Sequence, residues 1–372
     1  MEFTPKPLPV VVMPLEDECL GSWIGRLGAY YGISVSTLLK TIHLPLPCNY
    51  LKNWLLLRPI NLSDALTIAK ACRHSKESIA SMVPSTGHIL HYCELGICVH
   101  CLAEDHANGR PIYWRRKWLD AVSVVCDQHE SCLIPIESNI FRCYNNWTGI
   151  ETQLLKATER VLRDQETNKI LDSFDKTSPF LQWLFCDELA QQIAGSRYRL
   201  DVVSARQVAS DLLDALLYVN PAEQRSSALH EYAWYLKIPF DNQQLSIHIR
   251  SNHVMSLSRV QSLEVRAFAI AVTDAIMFSR VRWGSPQATE NLTETSSFWT
   301  SSLWAFLPKC SVELLSLRAQ NWPSHYTQTC WPELRGMEKI AMSQSSKKTL
   351  RSMIIQENAL VIKSKLADIR SN

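Results

Sequence analysis

Cys98-Val-His-Cys101, then 24 residues, then Cys126-Asp-Gln-His129 is the stretch from which the rest of this chain is read. The two knuckles supply three thiolates and one imidazole, the ligand set of a closed tetrahedral structural zinc site. Two residues between ligands let both donors of one tight turn reach the same ion. The long spacer makes the metal a clip between distant segments. The competing reading is that the 12 cysteines of these 372 residues are simply small buried apolar side chains. Two knuckles in one short window favour the metal. The expectation is one structural zinc per chain, held by Cys98, Cys101, Cys126 and His129. Four protein ligands leave no open coordination position for chemistry. His91, Cys93, His100, His106 and Cys132 lie near enough in sequence to substitute as ligands.

Between the knuckles runs Tyr113-Trp-Arg-Arg-Lys-Trp118. Arg115, Arg116 and Lys117, interleaved with aromatics, are candidate nucleic-acid contacts. Alternatively, Trp114 and Trp118, four residues apart, pack one face against the knuckles while the three cations are solvated. Residues 88–132 carry fewer Lys and Arg than Asp and Glu, which favours the packing reading.

The chain as a whole is 46% apolar and 20% charged, with a net charge of +2. That balance describes an ordinary globular protein with no global attraction to nucleic acid or membrane. Glycine is scarce, and long runs of helical periodicity dominate, so the fold class is mainly α. Clustered cysteines with metal spacing, and the rest far apart, fit a reducing compartment. The apolar run Leu8 to Leu15 is short, holds two prolines and leads into Glu16-Asp17-Glu18, unlike a signal peptide. No run approaches the ~18 apolar residues of a membrane span. The protein is read as cytoplasmic.

In chain order, a proline-rich extended arm precedes Leu20, Trp23, Ile24 and Leu27, one apolar helical face. Acidic residues before it suit the first turn of a helix. Gly32 ends this helix and Ser34 caps the next. A second helix pair starts at cap Ser63, with Leu62, Ala65, Leu66 and Ala69 on one face. It turns at Arg73-His-Ser75 and continues from Lys76 to Val83. The pair is helix-turn-helix-like, but its second helix opens on Lys76, Glu77 and Ser78, a poor set for reading base edges. Four segments result: a helix-turn-helix-like domain over 1–87, a zinc-binding module over 88–150, a helical domain over 151–342 and a basic terminal helix over 343–372. The short strand Leu133 to Ile136 follows the second knuckle. Helices are expected at about 177–194, 203–219, 225–238, 256–281 and 295–319, with Val254 to Phe278 the most apolar. Glu16 and Asp17 form an acidic arm that a basic partner protein would recognise, or that caps the helix behind it. No glycine-rich phosphate loop, nucleophile elbow or open metal site points to an enzyme.

Two motifs resemble the TniQ/TnsD family of transposon target-selection proteins. One is Pro14…Glu18-x-Leu20-x-Ser22-Trp23-x-x-Arg26-Leu27-Gly-x-x-x-Gly32-x-Ser34. The other is Cys98-x-x-Cys101-Leu-Ala-Glu104-Asp105, Tyr113-x-x-x-x-Trp118 and Cys126-x-x-His129. Together they cover about residues 8–136. The resemblance implies a bacterial, non-catalytic adaptor for RNA-guided transposition. Its length is similar to the short members that serve CRISPR-associated transposons. Such a protein docks on Cascade with its crRNA as a head-to-tail homodimer, close to target DNA, and recruits the AAA+ regulator TnsC and the transposase. The implied alternative is a TnsD-like protein that reads an attachment site directly. The chain departs from several relatives in lacking a second knuckle pair just after the first: that region offers only Cys132 and Cys143, with no Cys-x-x-Cys.

Overall fold

The computed structural model describes residues 7–44, 54–57, 61–84, 94–136, 146–164, 201–217, 262–278 and 317–323, with single positions 184, 227, 229 and 315. The described residues are mainly helical. Two compact units divide the chain: Met1–Asp187 with Leu257–Ala267, and Glu188–Ser256 with Phe268–Asn372.

The first unit is built outward from α1 (Leu20–Tyr30). Leu20, Trp23, Ile24 and Leu27 are buried as their spacing requires. Two glycines in α1 let neighbours approach closely. A Cβ on Gly21 would lie 2.4 Å from the Leu55 carbonyl oxygen, and one on Gly25 2.7 Å from the Trp54 ring. The short 3-10 turn Trp54–Leu56 therefore rests directly on the α1 backbone. Gly32, at φ 65°, releases the chain after α1. The Ser34 hydroxyl then caps α2 (Val35–Thr41) by accepting from Thr37 N at 3.1 Å.

The acidic run before α1 does not occupy a helical first turn. That turn contains no acidic residue, and the N-cap is Cys19, whose Sγ accepts from Ser22 N. Asp17 adopts the left-handed conformation at φ 55°, which turns Glu18 inward. Residues 7–14 are an extended arm, as expected. The arm is fastened by Leu8 N to Ala71 O, by the Trp23 indole to Val12 O and by Arg26 to Met13 O.

The second pair is α3 (Leu62–Cys72) and α4 (Lys76–Ser81). The α3 cap is Asn61, not Ser63: its Oδ1 accepts from Asp64 N at 2.9 Å. The buried face is Ala65, Ile68, Ala69 and Cys72, while Leu62 and Leu66 point to solvent. Leu62 and Leu66 share helical spacing with Ala65 and Ala69, but the buried stripe centres on Ala65, Ile68 and Cys72, and at about 100° per residue the two leucines lie about a quarter-turn or more from it. Arg73, at φ 55°, ends α3, and Ser75 caps α4 by accepting from Ser78 N at 3.0 Å. The pair is present as two helices and a turn; nothing in its geometry sets it apart as a DNA-reading element.

The strands β1 (Leu95–Ile97) and β2 (Ile134–Ile136) pair antiparallel, with Leu95 opposite Ile136 and Ile97 opposite Ile134. Helix α5 (Val99–Ala107) follows β1 at once. Helix α6 (Trp147–Asp164) packs on both α1 and α5. Its Trp147 meets Trp54 edge-on at 5.8 Å and donates to Ile112 O at 3.2 Å.

In the second unit, α7 (Val202–Leu217) buries Ala205, Val208, Leu212 and Leu216 on one face. Its buried Asp211 carboxylate accepts from Gln207, Arg318 and Trp322, so the charge is paired and hydrogen-bonded. Helix α8 (Leu263–Phe278) lies within the most apolar stretch. It crosses the division between the units: Leu263 and Val265 are buried in the part that belongs to the first, and Phe268, Ile270 and Val272 in the part that belongs to the second, while Glu264 and Ala271 are half-buried. The Glu94 carboxylate accepts from Leu263 N at 3.0 Å, and Glu94 O accepts from Arg266 at 2.8 Å. The helices expected at 177–194, 225–238 and 295–319, the boundary at Pro84 to Gly87 beyond Pro84 itself, and the basic terminal helix after 343 fall wholly or largely outside the described residues.

Candidate metal centre

The register of the two strands builds the site. β1 ends at Ile97, so Cys98 stands at the N-cap of α5 and Cys101 in its first turn. β2 begins just after a tight reversal in which Val125 bridges Cys132 and Cys126 N donates to Ser131 O at 2.8 Å. Glu130, at φ 49°, makes the reversal possible. The second knuckle lies on this reversal and faces the first. A Cβ on Gly96 would come 2.8 Å from the Leu133 side chain, so glycine there lets the two segments close.

Cys98, Cys101, Cys126 and His129 form a cluster that can hold one metal ion, their donor atoms all within 4.8 Å of one another. Cys101 Sγ lies 3.6 Å from Cys126 Sγ and 3.3 Å from His129 Nδ1. Cys98 Sγ and Cys126 Sγ stand 3.5 and 3.7 Å from the same nitrogen. A tetrahedral ion with bonds of about 2.3 Å to sulfur and 2.0 Å to nitrogen spaces its sulfurs about 3.8 Å apart and sulfur from nitrogen about 3.5 Å. The observed spacings fit. All three cysteines are buried and His129 is half-buried. The thiols crowd one another. Hydrogen bonds from Cys101 and Cys126 hold Cys98 below the ordinary thiol range, and Cys126 and Cys98 push Cys101 up. A divalent cation supplies the charge that lets all three be thiolates at once. Of the other residues near the knuckles, Cys132 is half-exposed and outside the cluster, and the His100 ring stands 5.5 Å from the His129 ring. His91 and Cys93 fall outside the described residues.

A second network ties this centre to α1, and sequence reasoning missed it. Glu18 is buried, and its carboxylate accepts from Ser22 Oγ at 2.8 Å, Arg26 Nε at 2.8 Å, Arg26 Nη2 at 2.5 Å and Leu15 N at 3.0 Å. Ser22 Oγ in turn accepts from Trp114 N at 3.0 Å, and Cys19 N donates to Trp114 O at 2.9 Å. Part of the signal was available: Ser22 and Arg26 are four residues apart and so on one side of α1; Glu18 precedes the helix, and the turn at Asp17 brings it to them.

Trp114 and Trp118 are buried and meet edge-on at 6.1 Å, as the packing reading requires. Arg115, however, is not solvated. Its Nη2 donates to buried Asp105 at 3.0 Å, and its guanidinium lies 4.6 Å from the Tyr113 ring centre and 5.0 Å from that of Trp118. Arg115 is the extended residue just before the 3-10 turn Arg116–Leu119, and it is 7% exposed. Arg116 pairs with Asp17 at 3.2 Å and donates to Ser81 O, and Lys117 pairs with Asp127 at 3.0 Å; both are half-exposed. Glu16 is exposed, whereas Asp17 is half-buried. Burial raises the Asp17 carboxyl above its usual range, against the pull of Arg116 and Lys117.

These features define a helical domain fastened at one end by a Cys3His clip and at the other by a buried Glu-Ser-Arg network. Residues 9–133 match the family model described as TniQ, and the chain carries a TniQ domain over that span. The matched span contains the arm, the α1 network and all four cluster residues. No curated protein matches the chain. No solved structure matches it either. The TniQ domain points to target selection in DNA transposition. Among the described residues, no helix is long and apolar enough to cross a membrane.

Proposed function

We propose that this chain is a non-catalytic target-selection adaptor that links an RNA-guided Cascade–crRNA complex to the AAA+ regulator TnsC and, through it, to the transposase. The observation that carries the reading is the TniQ match over residues 9–133, with its signature residues forming the two internal networks described above. The metal is zinc, one per chain, and structural: three thiolates and an imidazole suit a closed zinc site. In this role sequence recognition belongs to guide-RNA pairing, and the protein needs docking surfaces rather than base-reading side chains. That fits Arg115, Arg116 and Lys117, each of which pairs with an aspartate of its own chain. Exposed Glu16 is the better candidate for a partner contact, since the Asp17 carboxylate is engaged by Arg116. A head-to-tail homodimer belongs to the same proposal.

The test is co-purification of the full chain with Cascade and crRNA, and separately with TnsC, beside guide-directed insertion in cells. Deleting the protein is expected to abolish insertion while Cascade still binds its target. Tight, sequence-specific duplex binding by the isolated protein at about 150 mM salt, with a steep salt dependence, would replace this reading with direct attachment-site recognition.

A further inference from the structure

Helix α5 does more for the metal centre than supply Cys101. It presents His100 from within the first knuckle and Glu104 one turn further along, four residues apart and so on one face. Glu104 Oε1 lies 2.9 Å from His129 Nε2, while Oε2 accepts from Gln128 Nε2 at 3.1 Å. Glu104 therefore grips the second knuckle at two points, the ligand and the residue before it. The His100 ring sits beside the His129 ring, tilted 33° from it. The two nitrogens of His129 thus face different environments: Nδ1 the three sulfurs, Nε2 a carboxylate.

We propose that Glu104 is a positioning residue for the metal centre, fixing the His129 ring and the tautomer in which Nε2 carries the proton and Nδ1 is the donor atom. The inference rests on the metal reading above. An imidazole on a four-residue knuckle can turn about its χ angles and offer either nitrogen. A carboxylate that accepts the Nε2 proton removes that freedom and makes Nδ1 the better donor. Ordering the ring before the ion arrives lowers the cost of assembling the site. The same contact links α5 to the 126–129 reversal across 25 residues of sequence, so the clip is held closed by protein groups as well as by metal.

Losing such an outer-shell partner commonly costs 10- to 100-fold in metal affinity. The Glu104 side chain is 49% exposed, so water competes for it, and the expected loss is near the lower end, about 10-fold. The experiment uses the full chain, loaded with zinc and titrated with a competing chelator, as wild type, E104A and E104Q. Zinc content, retention against chelator and far-UV circular dichroism are read together. E104A is expected to give up zinc at about 10-fold lower chelator than wild type, with unchanged helix content. E104Q, whose amide oxygen still accepts from Nε2–H, is expected to recover most of the retention. Nitrogen-15 spectra of the zinc-loaded wild type are expected to show His129 bound through Nδ1 with a proton on Nε2.

Wild-type zinc retention in E104A, with zinc bound, would overturn the proposal and leave the metal reading standing. His129 bound through Nε2 in the wild type would overturn it without any variant, so a poorly folding E104A does not protect it. A wild-type chain that takes up no zinc would sink the metal reading itself, and this inference with it.

Discussion

Replacing Arg26 by methionine probes the network that organises α1. Arg26 is 7% exposed and makes three hydrogen bonds: two to Glu18, at 2.8 and 2.5 Å, and one to Met13 O at 3.0 Å. Methionine fills much of the volume but removes the cation. The Glu18 carboxylate, 2% exposed, then keeps only Ser22 Oγ and Leu15 N as donors and has no countercharge. Removing one member of a buried ion pair costs about 3–5 kcal/mol, because a charge is left unpaired away from water. Two donors remain, so the lower figure, about 3 kcal/mol, applies here. The double variant E18Q/R26M removes both charges and is expected to be more stable than the sum of the single changes implies, with a coupling of about 2 kcal/mol. Urea denaturation followed by tryptophan fluorescence reads the effect, since Trp23 and Trp114 both adjoin the network. The first unit's transition should move and the circular dichroism at low urea should not. An R26M cost below about 1 kcal/mol, or strictly additive single and double changes, would refute the argument that the pair is buried and mutually dependent.

Gly21→Ala places a methyl 2.4 Å from the Leu55 carbonyl, a backbone atom that cannot swing away, and should cost about 1–3 kcal/mol in the same denaturation assay. Cys98→Ser is expected to lower zinc stoichiometry and the melting temperature together, because assembling the site is part of the folding energy; chelation of the wild type should reproduce the shift, and unchanged melting in both would argue against a structural metal. Burial raises the Asp17 pKa, so its folded value lies above its unfolded value of about 3.8. The stability this group contributes is therefore full below that unfolded value and is lost as pH rises through the folded one. Asp17→Asn, whose amide suits φ 55° equally well, should lose less stability than wild type as pH rises above the unfolded value; parallel melting-temperature profiles would contradict this.

The sequence by itself determined most of what is local. Knuckle spacing named Cys98, Cys101, Cys126 and His129 because ligands two residues apart share one turn, and the cluster contains those four. Helical periodicity marked the α1 face, the cap Ser34 marked where α2 begins, and the turn Arg73-His-Ser75 marked the break before α4. At α3 the cap was placed at Ser63 where Asn61 caps, and the spacing that joined Leu62 and Leu66 to Ala65 and Ala69 did not say which side of the helix would be covered. Only the tertiary structure decided which charges are internal. Arg115 read as solvated, and nothing in the sequence marked Glu18 or Asp105 as internal, since charged side chains are mostly exposed. Their burial depends on partners brought in from elsewhere: Arg26 for Glu18, with Trp114 N on Ser22 Oγ across 92 residues beside it, and Arg115 for Asp105. A carboxylate is stable inside only when donors surround it, and which donors arrive is settled by how α1, α5 and the two knuckles pack together.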